Sequence, residues 1–158
     1  TETILPQMMG PMLGSRIGRF TNGGVFILRR DIFDAIGGFA NGVRSGQHTE
    51  LPYRLMPYME SKQLEIGNIP EPLIRVHIHA GERIRTNFKA KIEGVQYVMK
   101  KHRSLFDRNP LTKSTYETNL AYYYKKERSL SMAFRFYVRA FVTYPSVKGF
   151  LRMIFFFK

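Results

Sequence analysis

From Lys89 to the end of the chain, apolar residues recur at helical spacing, and this constrains the fold more than any other feature. Ile92, Val95, Val98 and Met99 mark one helix that ends near Asn109 and Pro110. Residues 112–126 make a second, with Tyr116, Leu120, Tyr123 and Tyr124 along one face. Leu130, Ala133, Phe134, Tyr137 and Phe141 make a third, stopped by Pro145. A last helix is expected from Ser146 to Phe157. These short helices in succession can stack as hairpins.

The front of the chain reads differently. Val25-Phe26-Ile27-Leu28 is a short apolar run between glycines and arginines, which predicts a buried strand. Asp31 to Ile36 has helical spacing, and Gly37-Gly38 follow as a glycine stop. A second helix is predicted from Thr49 to Lys62, with Thr49 as cap and Pro52 in its first turn. Pro57 shortens or kinks it. Leu64-Glu65-Ile66 and Leu73 to His79 read as further strands. The expected architecture is therefore α/β over residues 1–88, a strand–helix–helix–strand unit on a short mixed sheet. A basic α-helical extension follows over residues 89–158.

Charge divides the chain at the same place. Residues 1–88 carry 10 Lys and Arg against 8 Asp and Glu, whereas residues 89–158 carry 15 against 4. So basic a surface attracts polyanions: anionic headgroups, nucleic acid or an acidic polymer. No nucleic-acid-binding signature accompanies the charge, so no nucleic-acid partner is expected. The chain has no cysteine, which excludes disulfides and cysteine chemistry. That fits a reducing, cytoplasmic setting. No apolar run approaches the roughly 18 residues of a spanning helix.

The residues that carry chemistry lie between Asn22 and Asn87. His77 and His79 are two apart on a predicted strand and share a face, a geometry for metal or anion contact. Arg83 and Arg85 on the next loop can clamp a phosphate. Gln47-His48-Thr49-Glu50 arrives at a helix start, where His48 or Glu50 can act as a general base. Each feature also has a plainer role: a strand-end hydrogen bond, a solvated loop, or a carboxylate favoured at a helix N-terminus.

In order, however, these landmarks form a pattern. The string from Gly23 to Phe39, Gly-Gly-Val-Phe-Ile-Leu-Arg-Arg-Asp-Ile-Phe-Asp-Ala-Ile-Gly-Gly-Phe, resembles the central segment of family 2 glycosyltransferases. Gln47-His48-Thr49-Glu50-Leu51-Pro52-Tyr53-Arg54-Leu55 is similar to that family's next landmark, an acidic pair followed by an acidic residue and Arg-Leu. Glu71 to Gly81 resembles its closing strand and histidine-bearing loop. The resemblance implies a partial GT-A-like lobe on the acceptor side of an inverting enzyme. Such an enzyme moves a sugar from a nucleotide-diphosphate sugar to a glycan or lipid-linked acceptor. It implies acceptor- or donor-binding roles for Gly37, Gly38, Phe39, Gln47, Arg54, Arg83 and Arg85. It also implies a divalent metal, Mg or Mn, in the complete enzyme, with His79 and then His77 as the candidate contacts.

The chain departs from the pattern in three places. The family's base aspartate aligns with His48, and its glutamate partner with Gln47. His48 can still accept the proton, Glu50 is the carboxylate left in the motif, and the change can also mark a lost activity. No Asp-x-Asp motif is present, and position 1 is Thr, so the chain reads as a C-terminal portion without a donor-binding half. There is no tryptophan, which excludes the Gln-x-x-Arg-Trp signature of processive members and points to single transfers. The rival reading is a degenerate lobe that binds a membrane or polyanion without catalysis. Basic and aromatic residues interleave from 130 to 158, which suits peripheral contact at the inner membrane face, most of all over 146–158.

Overall fold

A computed structural model describes residues 11–12, 15–18, 27–65 and 87–155. Two compact units emerge, one of residues 1–42 and 47–82, the other of residues 43–46 and 83–158. The described elements are helical apart from one short hairpin. Strand β1 (Pro11–Met12) pairs antiparallel with β2 (Ser15–Gly18). Helices α1 (Arg30–Ala35) and α2 (Gln47–Ser61) also belong to the first unit. The second holds α3 (Phe88–Lys101), α4 (Arg103–Arg108), α5 (Pro110–Lys126), α6 (Leu130–Thr143) and α7 (Val147–Ile154).

This overturns the expected α/β fold. Among the described residues there is no mixed sheet. Ile27 and Leu28 form no strand, and Ile27 is 81% exposed. Leu28 instead packs on a helical cluster of Ile32, Leu55, Met56 and Met59. A short apolar run does not reveal whether its partner will be a strand or a helix, and here it is a helix. Leu64 was expected to open a strand, but it closes α2. Its N–H donates to the Met59 carbonyl at 3.0 Å, and the Gln63 N–H donates to Glu60 at 3.3 Å. Gln63 adopts a left-handed φ of 53°, which completes a left-handed C-terminal cap. Its apolar closing contact puts Leu64 onto the Met59 cluster. The predicted strand 73–79 lies outside the described residues.

The helical half follows its periodicity more closely. Asn87 caps α3 by accepting from the Ala90 N–H at 2.9 Å, and Ser146 caps α7 by accepting from Gly149 at 3.1 Å. Pro110 occupies the first turn of α5, where its missing N–H costs nothing. Helices α5 and α6 form an antiparallel hairpin over small residues: Ala121, Ala133 and Ala140 are buried, and the Ser114 hydroxyl donates to the Ala140 carbonyl at 2.7 Å. Ile92 of α3 joins Leu120, Ala121 and Phe136 in the core. The buried face of α6 runs through Ala133, Phe136 and Ala140, while Leu130 and Phe134, expected inside, are exposed.

One carboxylate is buried in this hairpin. Glu117 accepts from the Thr143 hydroxyl at 2.7 Å, and its other oxygen lies 3.2 Å from Arg139. Arg139 also lies over the Phe136 ring. The charge is therefore paired and hydrogen-bonded, as a buried carboxylate requires.

Arg128 holds a left-handed φ of 59° in the α5–α6 turn, where the Ser129 N–H donates to Tyr124 and the Arg128 N–H to Lys125. Glycine meets no Cβ penalty there, so Arg128→Gly is expected to raise stability by about 0.5–1 kcal/mol, read as a higher urea midpoint. Gly94 lies inside α3, a position that costs roughly 1 kcal/mol against alanine. A Cβ at Gly94 would come within 2.0 Å of the Ser45 carbonyl oxygen. The loop 43–46 therefore crosses α3 backbone to backbone. Gly94→Ala is expected to destabilise by about 1–3 kcal/mol in the same measurement, despite alanine's better helix propensity.

Candidate functional site

The site is built where α1 ends and α2 begins. Gly37 has φ 79° and Gly38 φ 64°, values that favour glycine. The Gly38 N–H donates to Phe33 at 2.9 Å, and the Gly37 N–H to Asp34 at 3.0 Å. These are the two bonds of a left-handed C-terminal cap, as the Gly-Gly stop predicted. A Cβ on Gly38 would meet the Phe33 ring at 3.2 Å. The cap turns Phe39 back onto α1, where its ring meets Phe33 edge-on at 5.2 Å. At the other end of α1, Asp31 is held below the usual carboxylate range, mainly by its hydrogen bond from Arg29.

Helix α2 starts three residues earlier than the Thr49 cap implied, so Gln47 and His48 lie in its first turn. Pro52 consequently falls in the second turn and cannot donate to the His48 carbonyl; Pro57 likewise cannot donate to Tyr53. The His48 ring meets Phe39 edge-on, with centroids 5.0 Å apart. Gln47 reaches the Ala40 carbonyl over a long 3.4 Å. His48 is half-buried and Phe39 partly exposed, which leaves an aromatic face beside an imidazole.

Beneath this pair lies an ionic clamp. Arg54 stands one turn after Glu50 on α2 and donates to both its oxygens, from Nε at 2.9 Å and from Nη2 at 2.6 Å. The same guanidinium donates to the Gly38 carbonyl at 2.6 Å and to the Ile36 carbonyl. Those carbonyls belong to the end of α1, where helices leave acceptors without intrahelical partners. A cation there also suits the negative end of the helix dipole. Glu50 is fully buried and the Arg54 side chain only 18% exposed. The planar fork of arginine lets one side chain bridge a carboxylate and two carbonyls.

The structure thus brings Gly37, Gly38, Phe39, Gln47, His48, Glu50 and Arg54 together. His77, His79, Arg83 and Arg85 lie outside the described residues. Among the described residues no three His, Asp or Glu side chains stand close enough to hold a metal ion. The described residues of the site therefore offer no ligand set for a divalent cation. The i,i+4 spacing of Glu50 and Arg54 signals an ion pair in the sequence. Its bond to the carbonyls of a different helix carries no local signal. No protein-family model, curated protein or solved structure matches the chain. No helix among the described residues is long and apolar enough to cross a membrane.

Proposed function

We propose that this chain is the acceptor-side part of an inverting, non-processive glycosyltransferase that uses a nucleotide-diphosphate sugar. The observation that carries the proposal is the Arg54 clamp. It fixes the Gly37-Gly38-Phe39 turn against the start of α2 and sets His48 beside an exposed aromatic ring. These are the positions at which the sequence resembles family 2 glycosyltransferases. With the mixed sheet overturned, the resemblance rests on the sequence of this turn and helix start. In this reading His48 takes the proton of the acceptor hydroxyl. The hydroxyl oxygen bonds to the anomeric carbon as the bond to the diphosphate breaks. The electron pair leaves with the nucleotide diphosphate, and the configuration inverts.

Glu50 has a positioning role, because both its oxygens are engaged by Arg54. Phe39 offers an apolar face to a sugar ring. A divalent cation and the nucleotide would be held by residues other than those described. The proposal places the enzyme in the cytoplasm, at the inner membrane face.

Saturation-transfer NMR on the 158-residue chain tests the reading, with a panel of neutral and acidic oligosaccharides and with nucleotide sugars. Oligosaccharide signals that weaken in Phe39→Ala are expected. Silence from every oligosaccharide, or a response from nucleotides alone, would remove the acceptor-side assignment.

A further inference from the structure

We propose that α7 docks on an anionic lipid surface, lying along the interface rather than crossing it. This names a surface that would hold the chain at the membrane face, and it does not depend on the transferase reading. At 100° per residue, Val147, Leu151 and Ile154 share one side of α7. All three are exposed, Val147 by 77%. The side that meets α6 is a narrow seam instead. A Cβ on Gly149 would touch the Phe141 ring at 3.4 Å, and Met153 is partly covered. The helix buries no residue fully. It is thus anchored by its small residue and turns its most apolar arc to solvent.

Large apolar residues in one exposed patch mark an interaction surface. Phe155, exposed at the end of α7, adds to the apolar surface. Charge identifies the occupant. Lys148 and Arg152 fall together at one edge of the apolar arc, beside Phe155. Both are exposed. No carboxylate occurs after Glu127. Apolar side chains bounded by long cations is the arrangement of an interfacial helix, with the stems in the acyl boundary and the charges at the headgroups. A second copy would bring the same positive charge against itself. Nucleic acid would satisfy the cations but leave Val147, Leu151 and Ile154 in water.

Co-sedimentation of the 158-residue chain with vesicles tests the proposal. Vesicles of phosphatidylcholine are compared with vesicles that also contain phosphatidylserine. Binding is expected to the anionic vesicles. Lys148→Gln with Arg152→Gln should weaken it on the order of 25-fold, about fivefold per charge. Leu151→Gln with Ile154→Gln should reduce it to the level seen with phosphatidylcholine alone. All four residues are exposed, so melting curves should match the parent chain. Equal binding to both vesicle types would overturn the proposal. So would binding that survives the leucine–isoleucine change, or displacement from vesicles by single-stranded DNA. A dimer that forms through α7 while the chain ignores vesicles would also overturn it.

Discussion

Replacing Arg54 with alanine is expected to cost about 3–5 kcal/mol, the loss seen when one partner of a buried ion pair is removed. Glu50 is fully buried and accepts from Arg54 at both oxygens. Alanine would leave that carboxylate charged in the interior, or force it to take up a proton. It would also take donors from the Ile36 and Gly38 carbonyls. Arg54→Lys should recover little, because one ammonium does not span the carboxylate and both carbonyls. Glu50→Leu combined with Arg54→Leu should cost clearly less than the two single changes added together, since no lone charge is then buried. Hydrogen exchange over residues 30–61 reads the effect where it arises, and urea unfolding gives its size. A change for Arg54→Ala within about 0.5 kcal/mol of the parent would place it among ordinary surface substitutions and remove the clamp from the account.

That clamp shows where the sequence was legible and where it was not. Gly37-Gly38 announced a helix stop because left-handed residues after a helix have few alternatives to glycine. The same cap at Gln63 and Arg128 went unread, because neither residue advertises a positive φ. The strand reading of Leu64 failed for that reason: a hidden cap placed it on α2. Ile27 and Leu28 misled in another way. Their hydrophobicity is real, but only Leu28 finds a core, and that core is helical.

The second half was clearer because a helix repeats its message over several turns. Leu120 and Ile92 entered the core from the predicted faces. Helix α6 offered two adjacent apolar stripes. Contact with α5 selected the one whose small residues allow close approach, Ala133 and Ala140, with Phe136 between them. Phe134 and Leu130 were left outside. Gly94 was invisible to pattern reading, because its role is to admit the backbone of residue 45.

If the proposed function holds, His48→Gln is expected to lower sugar transfer by about 10²–10⁴-fold when this chain is joined to the donor-binding part that the proposal requires, the usual contribution of a positioned base. Glutamine keeps much of the ring's bulk at the start of α2 and cannot accept the proton. KM for the acceptor should change little while kcat falls, because the lost interaction belongs to the transition state. His48→Asp supplies the carboxylate that the resembling family carries at this position, and it should restore much of the rate. Glu50→Gln should differ in kind. It disturbs the Arg54 pair, so its first effect should be on protection of residues 30–61 rather than on kcat alone. Phe39→Ala removes the ring against which the imidazole is set and should weaken acceptor binding. A His48→Gln enzyme that transfers sugar at the parent rate would assign the base elsewhere. An inactive parent that gains transfer with His48→Asp would identify position 48 as the place where activity was lost.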